Sequence, residues 1–404
     1  MNDVKYRPIE HDEIDTFHRV LFLAFGEAPD KPDASRTFGE AELDRTRAAI
    51  VDDEIIGTGR NYSFELTLPG GAIVPAAGVS WIAVKPTHRR RGVLRGMMAE
   101  LDADARAHGE MFTTLTASEG GIYGRFGYGI ATWRMNFHIE QKRGTFRSPP
   151  LDDGRVRYVE RAEAFAIFPD VYERACTQRP GMVSRPAEWW SESYYHRLPP
   201  DAASFFVVHE DRDGVADGFL AFVIAGTFDA GIHRKDLQVV DLITLTPEVR
   251  ARLWQFAMSV DLIETVSAGL MPVDEPLRLL LKDPRRLRVN TLNDHLWLKI
   301  LDIEGALAAR TYSVADRIVI QVQDGATATR VELEGGPDGA QCRSTTDEPD
   351  LTLRRSVLGS IYLGGTRAEQ YVAAGEIGQR TTGAAARLDA MFAAYPAPAT
   401  TTWF

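Results

Sequence analysis

Apolar residues recur along this chain at two spacings, and the switches between them mark out its elements. Val93, Leu94, Met97, Met98, Leu101 and Ala105 form one stripe at helical spacing, with Arg95, Glu100, Asp102 and Arg106 off it, which predicts an amphipathic helix resting on a core. A second helix is predicted over residues 11–28, ending near Gly26, and a third over 42–51. Strand patterns fall at 62–68, 76–84, 111–117 and 134–139, with Pro69-Gly70-Gly71 as the turn between the first two. This alternation describes an α/β unit over residues 1–141.

Periodicity lapses at 142–153, where Gly144, Ser148, Pro149 and Pro150 mark a linker, and resumes in a second unit over 142–290. Its strands fall at 204–209, 218–224 and 237–245, followed by a helix at 247–260 with Leu253, Phe256 and Ala257 toward a core. A third unit, 291–404, opens with an alternating strand at 294–301 and a short helix at 303–309. Strands at 318–323, 327–333 and 351–353 and helices at 357–363, 367–374 and 383–394 complete it. The expected fold class is α/β (α+β) in three units.

The length of 404 residues agrees with two or three domains at roughly 100 to 200 residues each. No apolar span reaches the ~18 residues of a membrane helix and no basic-then-apolar start suggests a leader, so a cytoplasmic protein without a membrane partner is expected. Cys176 and Cys342 are far apart and lack neighbours at metal-ligand spacing, so ordinary thiols and no metal are expected. A net charge of -11 argues against nucleic acid as a partner and suits a cationic substrate.

The richest chemistry lies at the junction before the 93–106 helix, Ile82-Ala-Val84-Lys-Pro-Thr-His-Arg89-Arg90-Arg91-Gly92-Val93-Leu94. Helix-start amides are unsatisfied donors at the positive end of the helix dipole, and the arginines add full charges, so an anionic phosphate is the natural occupant. The segment resembles the pyrophosphate loop [RQ]-x-x-G-x-[GA] of the GNAT superfamily of acetyl-CoA-dependent N-acyltransferases, with Leu94 where Gly or Ala is usual. Downstream, Ser118-Glu-Gly-Gly-Ile-Tyr123-Gly-Arg-Phe-Gly-Tyr128 resembles the superfamily's Y-x-x-x-G-[FY] turn. Together with the aromatic carboxyl terminus, these segments resemble the Eis family of aminoglycoside-type acetyltransferases.

That resemblance implies two tandem GNAT-type domains, the second degenerate, then a sterol-carrier-protein-like domain, in a homohexamer. It implies acetyl-CoA held by Ile82, Ala83, Val84, Arg89, Arg90, Arg91, Gly92, Val93, Leu94 and Ser118. In the second unit the strand–helix junction reads Thr244-Leu-Thr-Pro-Glu, without arginines, and no cofactor site is expected there.

The prolines of the final segment, Tyr395-Pro-Ala-Pro-Ala-Thr-Thr-Thr-Trp403-Phe404, rule out helix, and two terminal aromatics favour burial over fraying. From sequence alone, simple packing of that end stands beside a catalytic use. The family resemblance implies that the terminal Phe404 carboxylate is the general base that deprotonates an ammonium, and that Tyr123 is the general acid for the departing thiolate. His88 lies within the cationic loop and His108 at a helix end, where capping accounts for it. Phe22, Phe25, Glu27, Trp81 and Trp403 are the expected lining for the acceptor, although Phe22 and Phe25 at i, i+3 equally describe a core face. The expected activity is N-acetylation of a cationic, aminoglycoside-like amine; a lysine or polyamine acetyltransferase and a non-catalytic acyl-CoA-binding regulator are the alternatives.

Overall fold

The computed structural model describes residues 4–28, 42–187, 189–190, 203–229 and 232–404. They form two compact units. The first comprises residues up to Thr132, His295–Ala394 and Trp403–Phe404; the second comprises Trp133–Asp294 and Tyr395–Thr402.

In the first unit, β1 (Lys5–Pro8), β2 (Thr46–Val51), β3 (Glu54–Thr67), β4 (Ile73–Val84), β5 (Phe112–Thr116) and β6 (Gly129–Ile130) build a seven-stranded sheet with β14 (Leu296–Ile300) inserted between β5 and β6. The helices α1 (Ile14–Phe25) and α2 (Val93–Ala107) pack on it. The stripe predicted for α2 is the observed one, with Val93, Met97, Met98, Leu101 and Ala105 buried and Leu94 half-buried. Gly26 ends α1 in the left-handed conformation that glycine tolerates best.

The helix expected over 42–51 is absent. A single 3-10 turn, Leu43–Arg45, leads into β2, whose Ala48 and Ala49 are both fully buried. Burial of successive residues erases the two-residue alternation that betrays a half-buried strand, so the segment reads as helical until its partners β1 and β3 are known.

The first unit also holds a five-stranded sheet from β15 (Asp316–Asp324), β16 (Thr327–Gly336), β17 (Gly339–Ser344), β18 (Leu351–Arg354) and β19 (Ile377–Gln379), in the order β17-β16-β15-β18-β19. Buried Arg310 has carbonyl partners here: it donates to Tyr362 and, at 3.4 Å, to Phe392, each at the C-terminal end of a helix. The partial negative charge of those helix ends offsets the guanidinium.

The second unit is a seven-stranded sheet of β7 (Trp133–Glu140), β8 (Arg155–Val159), β9 (Ala203–Glu210), β10 (Ala216–Asp229), β11 (Ile232–Thr244), β12 (Thr265–Pro272) and β13 (Arg288–Asp294), in the order β13-β7-β12-β11-β10-β9-β8. The 134–139 strand, expected in the first sheet, is therefore β7 of the second. The single strand expected at 294–301 is two: β13 ends at Asp294 in the second sheet, and β14 starts at Leu296 in the first. A 16-residue helix, α4 (Arg161–Cys176), which was not among the elements predicted from sequence, runs through Pro169. Its buried face of Ala164, Phe168, Val171, Tyr172 and Ala175 supplies the packing that outweighs the proline.

Candidate active site

The parallel pairing of β4 with β5 covers only Ala76–Gly78 against Phe112–Thr114. Beyond Gly78 the two strands part. On the β3 side the register slips between Thr58 and Arg60, and Trp81 takes a positive φ of 55° while its carbonyl accepts from Thr58 Oγ1 at 2.7 Å. This bulge takes in Ile82 and leaves Ala83 and Val84 paired to β3, with Ala83 buried and Ile82 and Val84 half-buried over the α2 core. A strand edge relieved of its partner presents backbone donors to a ligand or a developing oxyanion.

From β4 the chain passes through a 3-10 turn at Pro86–His88 into α2. Arg90 and Gly92 both have positive φ, 63° and 84°. A Cβ on Gly92 would meet nothing within 4 Å, so conformation, and not space, selects glycine there. Gly92 is the N-cap of α2 and no side chain caps it, which leaves first-turn amides for an outside acceptor. Arg89, Arg90 and Arg91 stand exposed around them; Arg89 donates to the Ala24 carbonyl at 3.4 Å, at the end of α1. The donor set and the open cradle fit a pyrophosphate. In the second unit the comparable helix, Pro247–Ala257, is capped by its own Thr246, whose Oγ1 accepts from Val249 N at 3.3 Å. That junction satisfies itself.

Past β5, exposed Ser118 leads into the short helix α3 (Gly120–Tyr123). Tyr123 is buried, 6.1 Å from the Tyr128 ring. Burial, and secondarily Glu119, push its phenol up to about 12, so it holds its proton at neutral pH. His108 caps the far end of α2, its Nδ1 2.9 Å from the Asp104 carbonyl, and His88 Nδ1 lies 2.9 Å from Thr87 Oγ1.

The chain terminus lies where β4 and β5 separate. A terminal carboxylate oxygen of Phe404 accepts from Thr116 Oγ1 at 2.8 Å, and the Phe404 ring stands edge-on to Phe64 with centroids 4.8 Å apart. Gly78 makes room: a Cβ there would be 2.3 Å from Phe64 and 3.2 Å from Phe404. From Phe404 a run of ring contacts leads through Tyr62 at 6.4 Å, then Trp81 at 6.2 Å, to His18 at 5.2 Å and Phe22 at 6.3 Å. Arg60 lies beneath this wall, 4.1 Å from the Tyr62 centroid and 4.9 Å from that of Trp81.

Of the acceptor residues expected from sequence, Phe22 and Trp81 thus share one aromatic wall with Phe404, the expected base. Phe25, 53% exposed, and Glu27 flank the Gly26 cap at the end of α1. Trp403 stacks instead on His295 at 5.5 Å. Sequence reasoning missed Thr116, Tyr62, Phe64, Arg60 and His18. Thr116 stands in the stretch leading to the Tyr123 turn, but its partner is 288 residues away.

Two stretches of the chain match the Acetyltransferase (GNAT) domain family, residues 5–131 and 181–300, and residues 303–400 match the Sterol carrier protein domain family. The N-acetyltransferase Eis of Mycobacterium tuberculosis is 35% identical over 350 residues, which cover 84% of this chain and 83% of that protein. The chain belongs to the Eis-like GNAT N-acetyltransferases. An uncharacterized N-acetyltransferase of Streptomyces griseus is 36% identical over 384 residues, 92% of each chain. The crystal structure of Eis1 from Mycobacterium abscessus matches with a TM-score of 0.89 at 32% identity, covering 99% of this chain and 100% of that one. As an Eis-like GNAT protein the chain is an N-acetyltransferase, with tandem GNAT domains and a C-terminal sterol-carrier-like domain. Among the described residues no group of three or more His, Cys, Asp or Glu could hold a metal ion, and no helix is long and apolar enough to cross a membrane.

Proposed function

We propose that this N-acetyltransferase transfers acetyl directly from acetyl-CoA to an amine of a cationic, aminoglycoside-like small molecule, with the Phe404 carboxylate as general base and Tyr123 as general acid. The observation that carries this reading is the terminal carboxylate of Phe404, bonded to Thr116 where β4 and β5 part. Acetyl-CoA supplies an activated thioester. The loop at Arg89, Arg90, Arg91 and Gly92, with Val93 and Leu94 opening α2, binds its pyrophosphate arm, and Ser118 after β5 adds a further contact to the cofactor. Ile82, Ala83 and Val84 offer backbone donors to the carbonyl oxygen as it gains charge.

An ammonium cannot attack until it loses a proton, and the Phe404 carboxylate takes that proton directly or through water. The amine nitrogen then bonds to the acetyl carbon, the carbon–sulfur bond breaks, Tyr123 gives its proton to the thiolate, and the second proton that the nitrogen sheds restores the Tyr123 phenol through water. An aromatic wall at Phe22, Tyr62 and Trp81 suits a cationic acceptor through ring-face attraction, and the net charge of -11 draws it in. Phe25, Glu27 and Trp403 complete the proposed acceptor lining.

The test is mass spectrometry of kanamycin, spermidine and a lysine peptide incubated with acetyl-CoA and either the native chain or one extended beyond Phe404. Acetylated kanamycin from the native chain, lost on extension, is the expected result. Equal activity of both chains removes Phe404 from the mechanism. Preference for spermidine or the peptide replaces the aminoglycoside-like acceptor, and CoA binding without turnover makes the protein a regulator.

A further inference from the structure

Thr114 and Thr116 lie on the same face of β5, two residues apart. Thr114 is fully buried and its Oγ1 donates to the Ala77 carbonyl at 3.2 Å, tying β5 to β4 where the strands still pair. One step further along that face β4 has left. The Thr116 hydroxyl, without that neighbour, donates to the terminal carboxylate of Phe404 at 2.8 Å. The last residue of the chain therefore takes up the donor that strand separation releases. Its ring is held by Phe64 at 4.8 Å and fits over Gly78, where any side chain would collide.

We propose that Thr116 is a positioning residue for acetyl transfer, engaging one oxygen of the Phe404 carboxylate so that the other is held free to accept the amine proton. This rests on the proposed role of Phe404 as base. The terminal carboxylate turns about its bond to Cα, and the Thr116 hydroxyl bond restrains that rotation. In the reaction the amine N–H breaks and an O–H forms on the free oxygen, while Thr116 keeps its own proton. Thr116 touches neither substrate; it acts through Phe404.

The experiment compares the parent, Thr116→Val and Thr116→Ser, each as the native chain and with one glycine appended after Phe404, by steady-state kinetics with acetyl-CoA and the best acceptor. Valine keeps the shape and β-branching, so the pairing of Thr116 with Leu296 is retained. In the native chain, loss of one hydrogen bond to a charged group is expected to lower kcat about tenfold. KM for acetyl-CoA should stay unchanged, and serine should restore kcat. With the appended glycine, parent and valine variant should be equally slow. A fall in kcat on extension without any effect of valine overturns the role of Thr116 and leaves the base intact. A valine effect of the same size in the extended chain, or one on KM alone, also overturns it. No effect of the glycine removes the base itself, and the proposal with it. Equal melting temperatures of valine and serine variants separate a lost contact from a damaged fold.

Discussion

His18 illustrates how a single residue gains meaning only from its surroundings. In sequence it is one of nine histidines; in the fold it is 4% exposed, packed against Phe17, Phe22 and Trp81, with no hydrogen-bond partner at Nε2. Burial pushes its pKa below the ordinary 6.5, Asp15 opposes this and Arg60 adds to it. The native state therefore prefers the neutral ring. Stability from this preference is complete above pH 6.5 and is lost as pH falls through the lowered native value, because the unfolded chain then binds the extra proton. Thermal melts between neutral and mildly acidic pH should fall in the parent and fall less in His18→Phe. Equal slopes would remove His18 as a source. Tyr123 was singled out in the sequence because its Gly-rich turn carries a spacing signal. Tyr123→Phe should lower kcat by about 10²-fold, with KM for acetyl-CoA unchanged in initial-rate measurements. Its phenol, raised from 10 to about 12, favours the folded state below pH 10, and that contribution disappears as pH climbs toward 12.

At the level of elements, legibility followed periodicity. Although Asp104 beside it is buried as well, the apolar stripe of α2 was read from its spacing. The 42–51 segment was not, because what fixes it is a contact set outside the segment. Arg45 is buried, with Nε 3.1 Å from Asp104 Oδ2 and NH2 2.6 Å from Glu110 Oε2. Arg47 reaches Asp104 Oδ1 at 2.7 Å and Asn61 Nδ2 reaches Oδ2 at 2.8 Å. A polar residue at the start of a run looks like a solvated helix end; here it enters the interior because two carboxylates await it there. Removing one side of such a pair costs about 3–5 kcal/mol, since the other is left charged and desolvated. Arg45→Met should lose stability of that order in urea unfolding. Arg47→Met should lose less, because Asp104 keeps Arg45 and Asn61. The reverse order would show that Arg47 is the residue that carries the network.

Across the whole molecule, the strands identified from sequence were mostly real, but which sheet each one joins could not be read. Membership is decided by pairing across the chain: β7 lies between β12 and β13, while β14, next in sequence after β13, enters the first sheet between β5 and β6. No local pattern records that choice. Its consequence is that the two halves of the chain differ in self-sufficiency. Among the described residues, two hydrophobic clusters of the second unit draw their buried residues from within 135–287, and the seven strands of its sheet lie in 133–294. A fragment covering 133–294 should fold alone, whereas one ending at 141 lacks β14 and leaves the β5 edge unpaired.

The tail segment supplies what the second-unit fragment would miss. Arg185 is stacked 3.9 Å from the Tyr172 centroid and 4.2 Å from that of Trp189, and pairs with Asp241 at 2.6 Å. Its Nε donates to Thr402 Oγ1 at 3.0 Å and its NH2 to Thr401 Oγ1 at 2.9 Å. Ala397 N donates to Asp274 at 2.9 Å, and Ala399 N to the Pro180 carbonyl at 3.0 Å. A ligand that binds only the folded state stabilises it by about 2.7 kcal/mol at a hundredfold excess over its Kd. For a fragment of this size each kcal/mol moves Tm by roughly 2–4 °C. A synthetic peptide of residues 395–404 should therefore raise the fragment's Tm saturably, by roughly 5–10 °C at that excess. The same peptide with Thr402→Val should raise it less, because Arg185 Nε and the Tyr172 hydroxyl, 2.8 Å from Thr402 Oγ1, each lose one of their partners. If neither peptide shifts the melt of a folded fragment, the tail contacts add no stability to the second unit, and the anchoring ascribed to Arg185 fails.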